Sequence, residues 1–201
     1  MTVPSREEAA RLLLSLDPPE WHLRHSRAVA EIAGWLALRV QQHTNGVDRH
    51  LVEAAALLHD VDKALPQASR GEGRHGEVGG RWLAAHGLPE LAEVVGLHPV
   101  TRLVDADEAA KVFDASAEAR IVAYADKRAA QRLQPMTERF GRWRRRHPEG
   151  TRGGWSADVA AATWSRAEEL ERQVCAMARC RPEDVRRLGW TGAAFTAARD
   201  A

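Results

Sequence analysis

Lysine is scarce in this chain: of 29 basic residues only Lys63, Lys111 and Lys127 are not arginine, and 28 acidic residues leave a net charge of +1. So even a balance excludes a global electrostatic pull toward nucleic acid or a membrane surface, and any such binding has to be local. Long apolar runs are missing as well. None approaches the roughly 18 residues that span a bilayer, and the opening MTVPSREEAARLLL has neither a basic start before an apolar stretch nor a cleavage signature. A cytoplasmic location is expected, with no membrane association. Cysteine is limited to Cys175 and Cys180. Five apart on one expected helix, they point away from each other, which excludes a disulfide or a zinc pair and leaves two reduced, inert thiols. Sustained apolar–polar alternation is absent, while helical spacing recurs throughout. The expected fold class is therefore all-α, and 201 residues suit one domain with an ample core.

Helix signals divide the chain. Ser5 and Glu8 make a capping box for a first helix that stops near LDPP. A second runs from about Glu20 to Gln42, its stripe of Val29, Ile32, Leu36 and Val40 carrying His25 on the same face. Asp48 caps a third that ends at His59 and Asp60. PQASRGEGR is too polar and glycine-rich for core and reads as a loop. Further helices are expected from His75 to His86, from Pro89 through Val95, and from Ser116 to Arg132, where Ile121, Val122, Ala125 and Ala129 surround Asp126. GRWRRRHPEGTRGG reads as an arginine-rich loop, and Val159, Thr163, Ala167, Leu170, Val174 and Met177 mark one face of a long final helix.

The stretch AALLHDVDKAL ends a greasy helix on His59, Asp60, Asp62 and Lys63. A carboxylate is unfavourable there, because apolar surroundings and the negative end of a helix both oppose its charge. One buried histidine is most often a hydrogen-bonded core residue. His25, His59, Asp60, His75, His98 and Asp126 together are a different matter, since each lies at a helix end or on an inward face. Unpaired, they would cost several kcal/mol in sum. A divalent metal pair accepts imidazole nitrogen and carboxylate oxygen alike and satisfies them all.

The order His25, then His59-Asp60, then Asp126, with RHSRAVA, ALLHDVDK and IVAYADKR around them, resembles the HD-domain metal-dependent phosphohydrolases. The similarity covers about residues 20–135. It implies a helical-bundle HD domain over residues 1–135, with residues 136–201 as an arginine-rich loop and a helical extension packing on it. It further implies that His25, His59, Asp60 and Asp126 hold one ion and that His75 and His98 hold a second, with Asp60 bridging. Iron or manganese is favoured, and cobalt and zinc suit the same donors. A hydroxide bridging the two ions would attack phosphorus, with Asp60 and Lys63 as the catalytic residues and Lys63, Lys127 and Arg128 contacting the substrate phosphates. Asp62, where a small residue is common in the family, either supports a ligand from behind or faces solvent.

Within the family, a GYP-containing helix is missing and the doublet continues as VDK. The small size and HDxxK pattern resemble the enzymes that split diadenosine tetraphosphate symmetrically, so a nucleotide is the expected substrate and a dinucleoside polyphosphate the leading one. The competing reading is an HD fold that senses a nucleotide, or grips RNA through RWRRRH, without turnover. A homodimer is compatible with the sequence. His22, His43, His50, His86 and His147 are expected to face solvent or to cap helices, and the tryptophans, Trp82 and Trp143 included, to pack in the core.

Overall fold

The computed structural model describes residues 3–67 and 71–200, and among them there is no β-strand, only an isolated bridge between Ala129 and Leu133. The chain is all-α. Helix α1 (Arg6–Ser15) opens on the expected reciprocal cap: the Ser5 hydroxyl accepts the Glu8 N–H at 3.2 Å, and the Glu8 carboxylate accepts the Ser5 N–H at 2.7 Å. Pro19 leads into α2 (Glu20–Gln41), and the Asp48 carboxylate accepts the His50 and Leu51 N–H groups to start α3 (Arg49–Leu58). There follow α4 (Val61–Ala64), α5 (Glu77–Ala85), α6 (Pro89–Leu97), a 3-10 turn (Val100–Leu103), α7 (Ala106–Phe113), α8 (Ala117–Lys127), α9 (Met136–Arg146), α10 (Ala157–Met177), a second 3-10 turn (Pro182–Asp184) and α11 (Thr191–Asp200). No helix of the described residues is long and apolar enough to cross a membrane.

Helix α2 packs on α3 and α8, and α6 on α3, α5 and α8. Val29, Ile32, Leu36, Leu57, Leu58, Ile121 and Val122 are fully buried between them, each contributing roughly 1.5–3 kcal/mol of transfer free energy. This packing aims the C-terminal ends of α3, α6 and α8 at one place. Gly80 lets α5 and α6 close together, since a Cβ there would stand 2.6 Å from the Ala92 carbonyl oxygen.

Several elements differ from those expected. Helix α8 stops at Lys127, short of Arg132, because the chain doubles back: the Gln134 N–H donates to the Arg128 carbonyl, and the Arg128 guanidinium donates to the carbonyls of Gln134 and Pro182. The first part of the arginine-rich stretch is helical. Met136 and Phe140 of α9 are buried one turn apart and anchor it, while Arg144, Arg145 and Arg146 lie in its last turn, where cations complement the helix dipole. Helices α7 and α11 have no counterpart among the expected elements; the Asp105 side chain caps α7, and α11 packs back on α1 and α2 through Phe195 and its neighbours. The two cysteines do not share a helix, because α10 ends at Met177. The turn through Arg179, at φ +46°, lets the Cys180 N–H donate to the Cys175 carbonyl, and both thiols are free. Of the loop PQASRGEGR, residues 68–70 lie outside the described residues; Glu72 and Gly73 form a bend.

Candidate metal centre

Burial of the apolar face of α3 carries His59 and Asp60 into the interior at the end of that helix, and the same holds for His98 after α6 and Asp126 in the last turn of α8. Three helix C-termini and two carboxylates therefore crowd one spot with negative potential. His25 faces it from the second turn of α2. His75 arrives on the turn before α5, where Gly76 adopts φ +84° and a Cβ would stand 2.7 Å from Pro99 Cγ.

Each ring is oriented from behind. The Nδ1–H of His25 donates to Ala130 O at 2.6 Å, that of His59 to Ala56 O at 2.8 Å and that of His98 to Val95 O at 2.6 Å. His75 Nδ1 lies 2.9 Å from a carboxylate oxygen of Asp62, which also accepts the Gly76 N–H at 3.0 Å. Asp62 thus supports the His75 ring rather than facing solvent. A carbonyl only accepts, so the carbonyl-held rings turn their Nε2 atoms inward.

There the Nε2 atoms meet in pairs, His25 with His59 and His75 with His98, each at 3.1 Å. Asp60 stands between the pairs. Its Oδ1 lies 3.1 Å from His75 Nε2 and 3.4 Å from His98 Nε2, and its Oδ2 3.5 Å from His25 Nε2 and 3.6 Å from His59 Nε2. Asp126 Oδ1 completes the His25–His59 side at 3.3 and 3.8 Å. Asp60 Oδ1 is buried without a well-formed hydrogen bond, an arrangement that fits a cation on each side of the carboxylate. Ligand-type triads recur here: His25, His59 and Asp126; His59, Asp60 and His98; Asp60, Asp62 and His75.

The electrostatics agree with the geometry. Burial alone would raise the Asp60 carboxyl, but His59 and Lys63 hold it well below the ordinary carboxylate range. Asp126 is likewise held low against its burial by His25, Lys127 and Arg139. Burial drives His59 down, toward the neutral ring a ligand needs. His75 is also pushed down by burial, yet the carboxylates of Asp60 and Asp62 prevail and raise it to about 9.

The six expected ligands are brought together, and the other expected contacts divide. Lys63 Nζ donates to Asp60 Oδ2 at 2.8 Å and keeps 40% of its side chain exposed at the cleft. Lys127 is not placed for substrate: it is buried, and its ammonium is committed to the His98 and Ala123 carbonyls. Arg128 points away from the site, onto Gln134, Tyr124 and Pro182, where it ties the C-terminal segment to α8. His22 is not at the surface either. It is fully buried beneath Trp21 with neither ring nitrogen hydrogen-bonded, whereas His43, His50 and His86 are exposed as expected. Trp82 is half-buried against the His86 ring, and Trp143 half-buried against Trp155.

An open cleft of about 500 Å³ leads to His25, Asp60 and Lys63, and Trp21, Arg139, Arg142 and Arg146 line it. Sequence reasoning placed none of these four at the site. For the arginines the signal was the spacing of Arg139, Arg142 and Arg146 at i, i+3 and i+7, one helix face that continues past Gly141 into the run read as loop.

The chain matches the HD domain family over residues 23–131, more than half its length. It belongs to the HD-domain family. No curated protein and no solved structure matches it. HD domains bind divalent metals and are generally metal-dependent phosphohydrolases, so the activity class of this HD-domain protein is, at that coarse level, a hydrolase with a His/Asp cluster able to hold metal. The matched segment contains all six converging histidines and aspartates, while α9 with its arginines lies beyond it.

Proposed function

We propose that the protein hydrolyses a phosphate ester or anhydride of a nucleotide at a site for two divalent cations, with a dinucleoside polyphosphate as the first substrate to try. His25, His59, Asp60 and Asp126 would hold one ion, and His75, His98 and Asp60 the other. Iron or manganese is favoured for this mixed nitrogen–oxygen set, with cobalt or zinc compatible. The observation that carries the reading is the Asp60 carboxylate, which turns one oxygen to each histidine pair. Such ions, when bound, supply Lewis acidity toward phosphoryl oxygens and activate water as the nucleophile.

The chain's own groups do the rest. Carbonyls of Ala56, Val95 and Ala130 and the Asp62 carboxylate fix the four rings before substrate arrives. Lys63 stands at the cleft with part of its side chain in solvent and serves a phosphate oxygen as a compact charge. Lys127 and Arg139 flank Asp126 and keep it ionised.

The test is elemental analysis of the purified protein together with a panel of nucleotides that includes dinucleoside polyphosphates. Close to two metals per chain and release of phosphate or a nucleotide product are expected. Full metal loading and nucleotide binding with no turnover of any member would instead favour the sensing module.

A further inference from the structure

The cleft outside the metal centre carries more positive charge than the chain itself uses. Arg132, Arg139, Arg142 and Arg146 line it, while Lys63 beside them is paired with Asp60, the one lining carboxylate among the described residues. Arg139 reaches Asp126 Oδ1 only at 3.8 Å, and Arg142 donates to the neutral Gln134 side chain at 3.3 Å. Among the described residues no carboxylate pairs with Arg132, Arg142 or Arg146. Arg146, in the last turn of α9, is favoured by the helix dipole, but Arg139 and Arg142 lie earlier and have no such reason to face one way. From Arg139, beside Asp126, to Arg146 the face runs about 10 Å along the axis at 1.5 Å per residue. Trp21 lines the same cleft; at 49% exposure it is the exposed large hydrophobic residue of the described chain, and it stacks on His22 with ring centroids 5.5 Å apart.

A row of cations longer than one phosphate, starting beside Asp126 and sharing its cleft with an exposed aromatic ring, suits an extended anion bearing a planar base. We infer that Arg139, Arg142 and Arg146 bind the non-reacting phosphates of a nucleoside polyphosphate and that Trp21 stacks on its base, so that this cleft selects polyphosphorylated nucleotides over monophosphates. The inference rests on the phosphohydrolase reading for the position of the reacting phosphate, while the binding it describes does not need turnover.

The experiment measures binding and turnover side by side on the metal-loaded protein and its R142S, R146S and W21A variants, with R172S on the exposed face of α10 as the charge control. Binding is read by calorimetry with a non-hydrolysable ATP analogue, AMP and inorganic tripolyphosphate. In R142S and R146S the preference for the ATP analogue over AMP is expected to fall about tenfold or more. In W21A affinity for both nucleotides falls about tenfold relative to tripolyphosphate, and R172S matches wild type. Equal losses for AMP and the ATP analogue in the arginine variants, or no loss in any variant, overturn the inference. So does a single-stranded RNA oligonucleotide that binds this cleft and is not displaced by the ATP analogue. If wild type binds the analogue with the expected pattern yet hydrolyses no nucleotide, the phosphohydrolase reading fails and the cleft assignment stands. Turnover without the pattern overturns the cleft assignment and leaves the phosphohydrolase reading in place.

Discussion

Nε2 of His25 stands 3.1 Å from Nε2 of His59, while the Nδ1–H of each ring is spent on a backbone carbonyl. With both rings neutral, lone pair faces lone pair, which is repulsive; only a shared proton or a cation between them removes the conflict. His75 and His98 repeat the relationship at the same separation on the other side of Asp60. Within each pair the two rings are shifted apart: carboxylate contacts outweigh burial and raise His25 and His75, while burial lowers His59 and His98.

Asp60→Asn keeps the shape of the side chain and removes the charge that both sides share. Metal content is expected to fall from near two per chain to near zero, with turnover down at least about a thousandfold, on the scale of a lost metal-centred transition-state contact. Elemental analysis and a phosphate-release assay decide it; wild-type metal and activity in this variant would exclude the bridging role.

His75→Ala and His98→Ala each remove a donor from one side alone. Metal content should drop from near two to near one, with the His25 side still loaded. A count equal to that of wild type in both variants would exclude His75 and His98 as metal donors.

Asp62→Asn leaves all six converging ligands in place but weakens the group that orients His75. One ion is expected to bind about 10–100-fold more weakly, as is usual when the partner of a liganding histidine is lost, and the other as in wild type. Competition with a metal chelator resolves the two affinities.

Loading the protein with metal at neutral pH should release protons. His75 is raised to about 9 and therefore carries a proton at pH 7 that a cation must displace. Metal affinity should rise with pH and level off above about 9. Calorimetry in buffers of different ionisation enthalpy counts the protons, and none released at pH 7 would contradict the assignment.

Far from the site, Glu53 is buried where α1 meets α3, and it accepts hydrogen bonds from Arg6 at 2.6 and 2.7 Å and from Arg49 at 2.8 Å. Burial pushes its carboxyl up, but the two arginines outweigh that and hold it below its ordinary 4.5. A depressed carboxyl stabilises fully above the unfolded value and loses that contribution as pH falls through the folded one. Glu53→Ala should cost about 2–3 kcal/mol at pH 7 by urea denaturation. The gap from wild type should narrow below pH 4.5, and a gap independent of pH would rule out the ion pair as its cause.

The all-α class, most helix starts and the set of converging ligands were legible in the amino-acid order alone. These rest on signals local to the chain: Ser5 and Asp48 as caps, apolar residues at helical spacing, and imidazoles or carboxylates set at helix ends where burial needs a partner. Contacts across helices are not written locally, and they emerge only once the chain has packed. Lys127 and Arg128 adjoin Asp126 in sequence, yet one turns into the protein to bind the His98 carbonyl and the other turns away to Pro182. Asp62 became the support of His75 because the chain returns thirteen residues later through Gly76. The arginine run became one wall of the cleft because Met136 and Phe140 bury a helix face that local composition concealed. Hydrophobic periodicity says which face of a helix is inside; which charged residues then meet depends on how the helices pack.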